Sequence, residues 1–272
     1  MNRLKPERQS LVLDLLAEGN SIRSIVRITG VCKNTIVRLM RETAQNCGEV
    51  LNAEMRNLHL ESIECDEIWT YVGKKQKKLK EGDKEKGFGD QYVFVALDRK
   101  TKLVPQYLVG KRNGFNAWVF MQNLRRRVSN TPQITTDQFA AYQEAVLSAF
   151  GVGVHYAMLR KVYHGDGSGR EGYSPAALKG VRIKIRIGRP SRDKISTSFV
   201  ERQNLTMRMQ MRRFARLTNA FSKTLENLEA ALALHFYHYN FIRVHRSLGM
   251  TPAMAAKITD TKWSWKDVLP SK

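Results

Sequence analysis

Three acidic residues, Asp66, Asp137 and Glu201, stand in sequence contexts that predict a metal site. The first lies inside a predicted strand, Ile63–Val72, and the second ends another strand at residues 133–137. The third lies near the start of an arginine-rich predicted helix. Carboxylate oxygens are hard ligands that select Mg²⁺ or Mn²⁺ over zinc. Two such ions about 4 Å apart can hold the attacking and leaving oxygens of a phosphodiester, so we expect two ions at this site.

The elements that carry these acids follow one another as strand, strand and helix. Ribonuclease H-like nucleases and transposases present their metal-binding acids in that order. Between residues 63 and 150 the hydrophobic pattern predicts three strands, a helix, a strand and a helix, which is the ribonuclease H-like sequence of elements. We therefore predict an α/β fold with a ribonuclease H-like catalytic core at residues 62–215 and a helical C-terminal region at 216–272.

Strand geometry leaves one ambiguity in this acid set. Asp66 and Glu67 are neighbours, and alternate residues of a strand point to opposite faces. Only one of them is expected to face the metals, and spacing alone does not decide which.

The charge balance predicts a polyanionic partner. The chain has 46 Lys+Arg against 25 Asp+Glu, a formal net charge of +21, which favours nucleic acid. No apolar run approaches the roughly 20 residues that span a bilayer, and no signal peptide is recognisable, so we expect a cytoplasmic, nucleoid-associated protein that binds no membrane. The three cysteines form no CxxC pair and are expected to be reduced thiols.

The first 45 residues predict an N-terminal helical domain with a helix-turn-helix. Ser21 can cap the second helix, and Gly30 turns the chain into a third helix. A recognition helix places its first residues in the major groove. The candidate DNA contacts there are Lys33, Asn34, Thr35 and Arg38. The alternative is an ordinary three-helix packing unit. Residues 46–61 are predicted to be a linker that is partly helical between Val50 and Leu60.

Two further basic segments flank the Glu201 helix. Residues 158–197 are predicted to be a basic insertion whose hairpin, Val181–Ile187, faces DNA; the alternative is a solvated hairpin. On the helix, at about 100° per residue, Asn204, Arg208 and Arg212 fall on the side of Glu201. This polar stripe, made of Glu201, Asn204, Arg208 and Arg212, would place the acid at a metal ion and the arginines at the phosphates of the DNA backbone. The candidate DNA contacts in this part of the chain are Arg182, Lys184, Arg186, Lys194, Arg208 and Arg212.

The sequence gives less support to a zinc site or to the other kinds of active site. His235 and His238 lie three residues apart on an apolar helix with no third ligand nearby, which favours ordinary core or surface histidines over a zinc site. The sequence contains no nucleophile elbow, P-loop or dinucleotide fingerprint. Spacing does not exclude a serine or tyrosine recombinase, but no cluster of residues supports one.

Three segments of the chain resemble the insertion sequence one family of bacterial transposases, which are enzymes of the DDE type. The segments are Cys65–Gly73, Thr135–Tyr142 and Thr197–Arg208, and the likeness continues through Arg212–Lys223 and Tyr239–Leu248. It covers roughly residues 60–258, and the Glu201 segment is its most specific part.

The resemblance implies a ribonuclease H-like fold and a metal-binding triad of Asp66, Asp137 and Glu201. It selects Asp66 over Glu67, a choice that strand geometry left open. It also implies cleavage at transposon ends and joining of the freed 3′-hydroxyl to target DNA. The expected partners are double-stranded DNA and further copies of the chain, as a dimer or larger. A metal-dependent nuclease without strand transfer and a DNA-binding regulator that needs no metal remain as alternatives.

Overall fold

A mixed six-stranded sheet organises the molecule. The computed structural model describes residues 4–83, 85–163, 178–215 and 218–270. The strands are β1 (Ser62–Val72), β2 (Gly89–Asp98), β3 (Gln106–Gly110), β4 (Gln133–Thr136), β5 (His155–Tyr163) and β6 (Leu178–Ile187), in the spatial order β3-β2-β1-β4-β5-β6. β2 pairs antiparallel with both β1 and β3, β4 runs parallel to β1 and β5, and β6 pairs antiparallel with β5.

The two partners of β1 differ in length, and this exposes the middle of the strand. On one side β1 pairs with β2 from Ile63 to Val72. On the other side its pairing with β4 ends at Cys65, opposite Thr136. Among the residues that the structure describes, the edge of β1 beyond Cys65 therefore faces no strand until Val72 bridges to Ser222. Residues that follow Cys65 and Thr136 lie at this opening.

Helices cover both faces of the sheet. α4 (Gly114–Arg125) and α5 (Ala141–Phe150) pack on one face, where Phe94 of β2 contacts Phe120 and Tyr142. α6 (Ser198–Gln210) and α7 (Leu225–Tyr237) cover the other face, where Tyr107 of β3 stacks on Phe236. α7 runs into a π-helical turn, His238–Ile242, and a short helix α8 (Pro252–Ala255) follows.

The N-terminal segment forms α1 (Pro6–Ala17), α2 (Ile22–Thr29) and α3 (Lys33–Glu54). Ser21 caps α2 by accepting a hydrogen bond of 3.0 Å from the Ser24 amide, and Gly30 ends the helix with a positive φ of 69°. Cys32 precedes α3 and makes no side-chain cap.

α3 runs through the domain boundary that was predicted at residue 45. Its second half buries Cys47 and Leu51, and Arg41 reaches α7, where it pairs with Glu226 at 3.0 Å. Residues 46–54 therefore belong to α3. The partial helix predicted from Val50 to Leu60 in fact continues from the preceding helix and ends at Glu54, because the apolar side of α3 packs on α7.

The predicted order of elements from β1 to α5 is confirmed, and the arrangement is consistent with a ribonuclease H-like core. The prediction missed β5. Residues 158–163, assigned to a basic insertion, belong to this strand, whose first half is buried between β4 and β6 while Arg160 is exposed. Val181–Ile187, predicted as an inserted loop or hairpin, instead lies within β6, which pairs with β5 at the edge of the sheet. The glycine-rich stretch between residues 164 and 177 lies outside the described residues.

Within the described part of the chain, no helix is long and apolar enough to span a membrane.

Candidate functional site

Asp66, Asp137 and Glu201 line one cavity of about 420 Å³ at the opening beside β1. Cys65 and Thr136 form the last pair of the β1–β4 ladder. Asp66 and Asp137 are the next residue on each strand, so they emerge side by side. Glu201 lies in the first turn of α6, which packs against β1. Two strand positions and one helix position, 135 residues apart at the extremes of the set (66 to 201), thus meet in space.

A buried carboxylate holds α6 against β1. Glu64 is fully buried, and its Oε2 accepts hydrogen bonds from the amides of Phe199 at 2.8 Å and Val200 at 3.0 Å. These amides belong to the first turn of α6, where a helix has unpaired donors and favours negative charge. Burial raises the pKa of Glu64, and the two amides act in the opposite direction. The acid therefore fixes the start of the helix that presents Glu201.

Hydrogen bonds orient two of the three predicted acids. Asn204, one turn after Glu201, donates through Nδ2 to Oδ2 of Asp66 at 2.9 Å. Thr197 donates through its hydroxyl to Oε1 of Glu201 at 2.7 Å, and the ammonium of Lys161 on β5 donates to Oε2 of the same acid. The position of Asn204 on the Glu201 side of the helix agrees with the sequence prediction.

Glu67 corrects the expectation that only one of two neighbouring acids could approach a metal. Oxygens of Asp66, Glu67 and Asp137 all lie within 4.8 Å of one another. Glu67 pairs in register with Phe94 and so shares the face of α4 and α5. Because β4 has ended at Thr136, no strand separates the two faces at this point, and the Glu67 side chain reaches Asp137 from the other side.

Arg112, in the loop between β3 and α4, joins two of these acids. Its Nε donates to Glu67 at 3.0 Å and its Nη2 to Asp137 at 3.0 Å. The guanidinium also lies 4.0 Å from the centre of the Phe139 ring, which holds its plane. The sequence analysis identified neither Arg112 nor Lys161 as a residue of the site, since a single cation in a strand or loop forms no motif from which its role could be predicted.

The site concentrates negative charge in a poorly solvated place. Burial, with the neighbouring Glu67 and Asp137 carboxylates, raises the pKa of Asp66 to about 7. Burial and the Asp137 carboxylate likewise raise the pKa of Glu67 to about 7. Carboxylates that repel one another in this way are stabilised in their ionised form by a shared cation.

The donor set fits a hard divalent cation. All the clustered ligand atoms are carboxylate oxygens, which suit Mg²⁺ or Mn²⁺. The side-chain oxygen Oδ1 of Asn204 is buried and has no hydrogen-bond partner among the described residues, so a further hard oxygen stands beside Asp66. Asp66, Glu67 and Asp137 are the residues whose ligand atoms lie close enough together to hold such an ion. Glu201 lines the same cavity, where it pairs with Lys161, but it does not belong to this group.

The predicted DNA contacts lie at several surfaces. Arg182, Lys184 and Arg186 are exposed on β6, and register places Arg182 opposite Arg160, which lines the cavity. Lys33 and Asn34 are exposed at the start of α3. Thr35 and Arg38 are half-buried, and Arg38 lies 3.8 Å from Glu42. Lys194 lies 3.6 Å from Glu61, and Arg208 is half-buried in α6.

Arg212 departs from the predicted stripe. α6 ends at Gln210, and Met211 is extended with φ −114° and ψ 106°, which buries its side chain. Arg212 then begins a 3₁₀ turn, Arg212–Phe214, and is exposed. The helical extrapolation from Glu201 is therefore wrong beyond residue 210.

Of the two positions that the sequence left open for the two helical histidines, core and surface, the structure shows the core. His235 and His238 are buried, and His235 lies within 3.3 Å of the Gln203 amide nitrogen. Burial lowers the pKa of His235 to about 3 and that of His238 to about 4. His238 stacks on Trp265. Neither joins a group of three metal-capable side chains in the described part of the chain.

No protein-family model matches the sequence, and no curated protein matches it. Among solved structures, the chain is similar to a Mos1 transposase paired-end complex with left transposon end, at 15% identity over 55% of this chain and 58% of that chain, with a TM-score of 0.22. It is also similar to the Mos1 strand transfer complex, at 14% identity over 88% of this chain and 79% of that chain, with a TM-score of 0.26. TM-scores this low do not establish a common fold.

Proposed function

We propose that this chain is a DDE transposase that cleaves DNA at transposon ends and transfers the freed 3′-hydroxyl into target DNA. The observation that carries the proposal is the convergence of Asp66, Asp137 and Glu201 on one cavity. The sequence resemblance implies the same three residues as the catalytic, metal-binding triad. Phosphodiester transfer needs little more from a protein than placed carboxylates and cations that hold the phosphate.

In this proposal the triad would hold two Mg²⁺ or Mn²⁺ ions, which would stabilise both the attacking and the leaving oxygen. The chain's own groups position the ligands. Asn204 holds Asp66 through its 2.9 Å hydrogen bond, and Thr197 holds Glu201 at 2.7 Å. Lys161 stands beside Glu201 at the wall of the cavity, where its ammonium can bind a phosphate oxygen of the substrate strand.

Cations outside the cavity would bind the rest of the DNA. Arg160 at the cavity wall and Arg182 opposite it begin a basic row that continues along β6. A row of exposed cations neutralises successive phosphates and adds affinity without reading sequence. The proposed phosphate-binding residues are Arg182, Lys184, Arg186, Lys194, Arg208 and Arg212.

The N-terminal helices would recognise the transposon ends. α2 and α3 are joined by a turn at Gly30, and the start of α3 exposes Lys33 and Asn34. Placed in a major groove, these residues with Thr35 and Arg38 would contact base edges. Because two ends must be brought together for transposition, we propose that the protein acts as a dimer or larger assembly.

The decisive test is strand transfer by the purified protein on a donor that carries the element's own flanking ends, with Mg²⁺. We expect joined product from the wild-type protein and none from Glu201→Gln. Cleavage without joining would identify the metal-dependent nuclease instead. Tight binding to the ends with neither reaction would identify the DNA-binding regulator.

A further inference from the structure

A row of aromatic rings continues along β1 beyond the acid cavity. Trp69 and Tyr71 alternate with the buried residues Ile68 and Thr70, and their ring centres lie 5.7 Å apart. Phe221 extends the row, with its ring centre 4.8 Å from that of Tyr71. Trp69, at the end nearer the acids, is 41% exposed. We call Trp69, Tyr71 and Phe221 the aromatic row.

Lysines stand over this row. The ammonium of Lys75 lies 5.8 Å from the ring centres of both Trp69 and Tyr71. The ammonium of Lys223 lies 3.5 Å from the centre of Phe221. A second cavity, of about 400 Å³, opens at Trp69 and is lined by Trp69, Lys75, Gln76, Lys77 and Asp90. Each ring of the aromatic row thus has a lysine ammonium over it, and the exposed Trp69 ring opens into a cavity that contains two lysines.

This combination of aromatic rings and lysines matches the chemistry of an unpaired nucleotide. Nucleobases stack on aromatic side chains whatever their sequence, and lysines beside the rings bind the phosphates that link the bases. A paired base inside a duplex has both faces covered by its neighbours, so only an unpaired base can use such a ring. An acidic peptide would use the lysines but would leave the exposed Trp69 ring without a partner.

The row also lies at a useful distance from the acids. Trp69 follows Glu67, the acid of the cluster that lies on the same face of β1, by two residues of strand, which is about 7 Å, or about two base steps of DNA. A strand whose phosphate lies between the acids can therefore bring a nearby base to the ring.

We propose that the aromatic row binds an unpaired nucleotide of the DNA strand that is processed in the acid cavity. This inference rests on the proposed function, because it assumes that DNA occupies that cavity. The base stacks on Trp69, and Lys75 and Lys77 hold the adjoining phosphates. The row would favour DNA ends that are already unpaired over blunt duplex.

The test measures binding without added metal, so that no cleavage competes. The probes are a duplex with a short single-stranded overhang, in 3′ and 5′ versions, and the same duplexes with abasic sites in the overhang. The abasic probes keep the phosphates and remove the bases. We expect the wild-type protein to bind at least one overhang about tenfold more tightly than its abasic counterpart.

Substitutions assign the effect to this surface. Trp69→Ala should bind base-containing and abasic overhangs equally, whereas Trp69→Phe should keep most of the difference because it keeps a ring. Trp118→Ala is the matched control, since Trp118 is a comparably exposed tryptophan (46%) on α4, donates a hydrogen bond to Ser148 of α5 and lines neither of the two cavities. Thermal unfolding of each variant shows that the fold is intact.

Failure of this inference and failure of the proposed function give different results. Equal wild-type affinity for base-containing and abasic overhangs of both polarities would overturn the inference, even where strand transfer proceeds. Loss of the difference in Trp118→Ala, with Trp69→Ala unchanged, would overturn it as well. A tenfold preference that Trp69→Ala removes would support it, and the strand-transfer assay would then decide the reaction separately.

Discussion

The acid cavity and the edge strand β6 differ in how their charged residues are held. In the cavity each acid has a named partner: Asn204 for Asp66 at 2.9 Å, Arg112 for Asp137 at 3.0 Å and Thr197 for Glu201 at 2.7 Å. Along β6 nearly every side chain is exposed, including the three cations at residues 182, 184 and 186. Other residues hold the acids in place through hydrogen bonds, whereas the cations of β6 extend into solvent.

The difference follows from what each region would do. Catalysis by bound metal requires ligands placed within a fraction of an ångström, so supporting hydrogen bonds are needed. Attraction to a phosphate backbone acts over about 10 Å at ordinary ionic strength and tolerates mobile side chains. A single substitution in the cavity should therefore remove most of the activity, whereas each substitution along β6 should weaken DNA binding by a small step.

The largest effect is expected from the acids themselves. Asp137→Asn and Glu201→Gln each remove a charged ligand and should lower the rate of strand transfer by about a thousandfold or more, since a catalytic metal contributes several kcal/mol. Single-turnover assays with Mg²⁺ measure this loss. Glu226→Gln is the control, because that exposed acid pairs with Arg41 away from the cavity. Rates within tenfold of wild type in both cavity variants would remove the basis for the triad.

The buried anchor of α6 should matter next. Glu64→Ala leaves the amides of Phe199 and Val200 without their acceptor. At about 1–3 kcal/mol for each of the two unsatisfied donors, we expect the free energy of unfolding to fall by about 2–6 kcal/mol. Urea denaturation measures it. Glu64→Gln keeps an acceptor oxygen and should lose clearly less; equal losses in the two variants would contradict the anchoring role.

The cations of β6 should show a graded effect. Replacing Arg182, Lys184 and Arg186 by alanine one after another should weaken DNA binding stepwise and similarly for all sequences. Each step should reduce the slope of log affinity against log salt by about 1, as expected for the loss of one phosphate contact. Lys100→Ala, which removes an exposed lysine paired with Glu61 at 2.8 Å, is the control. An unchanged slope in the triple variant would exclude β6 from the DNA path.

The smallest effect concerns pH. The pKa values of Asp66 and Glu67 are raised to about 7 in the folded chain, against about 4 in the unfolded chain. The metal-free protein therefore gains stability as pH falls through 7, when these acids take up protons.

Divalent metal competes with those protons, so Mg²⁺ should raise the melting temperature more at pH 8 than at pH 6, by a few degrees. Thermal unfolding with and without Mg²⁺ at both pH values measures the difference. Asp66→Asn should shrink the Mg²⁺ effect at pH 8. A shift that is independent of pH in the wild-type protein would show that these acids do not bind the ion.

Local pattern was enough to predict the central elements. The apolar alternation around Asp66 and the short run before Asp137 predicted β1 and β4, which the structure confirms. The pattern did not decide whether His235 and His238 lie in the core or at the surface, and only the structure shows that both are buried. β5 was missed, since Arg160 and Lys161 make its exposed half look like a loop, although Tyr156–Leu159 are buried.

Contacts between distant segments account for what was not predicted. Glu64 holds a helix that begins 134 positions later in the chain (64 to 198), and Arg112 joins acids from two strands. Nothing in the neighbouring sequence marks either residue. Similarly, α3 continues past residue 45 because α7 covers its second half.

The sequence by itself determined the charge of the protein, the identity of its acids and the strands that carry two of them, because these depend on composition and on alternation over a few residues. Only the tertiary structure decided that Glu67 joins the acid cluster, that Arg112 and Lys161 stand beside it, and that Arg212 leaves the Glu201 stripe. Those outcomes depend on where β4 ends and where α6 stops. Both ends are set by packing across the whole sheet, which no short window of sequence contains.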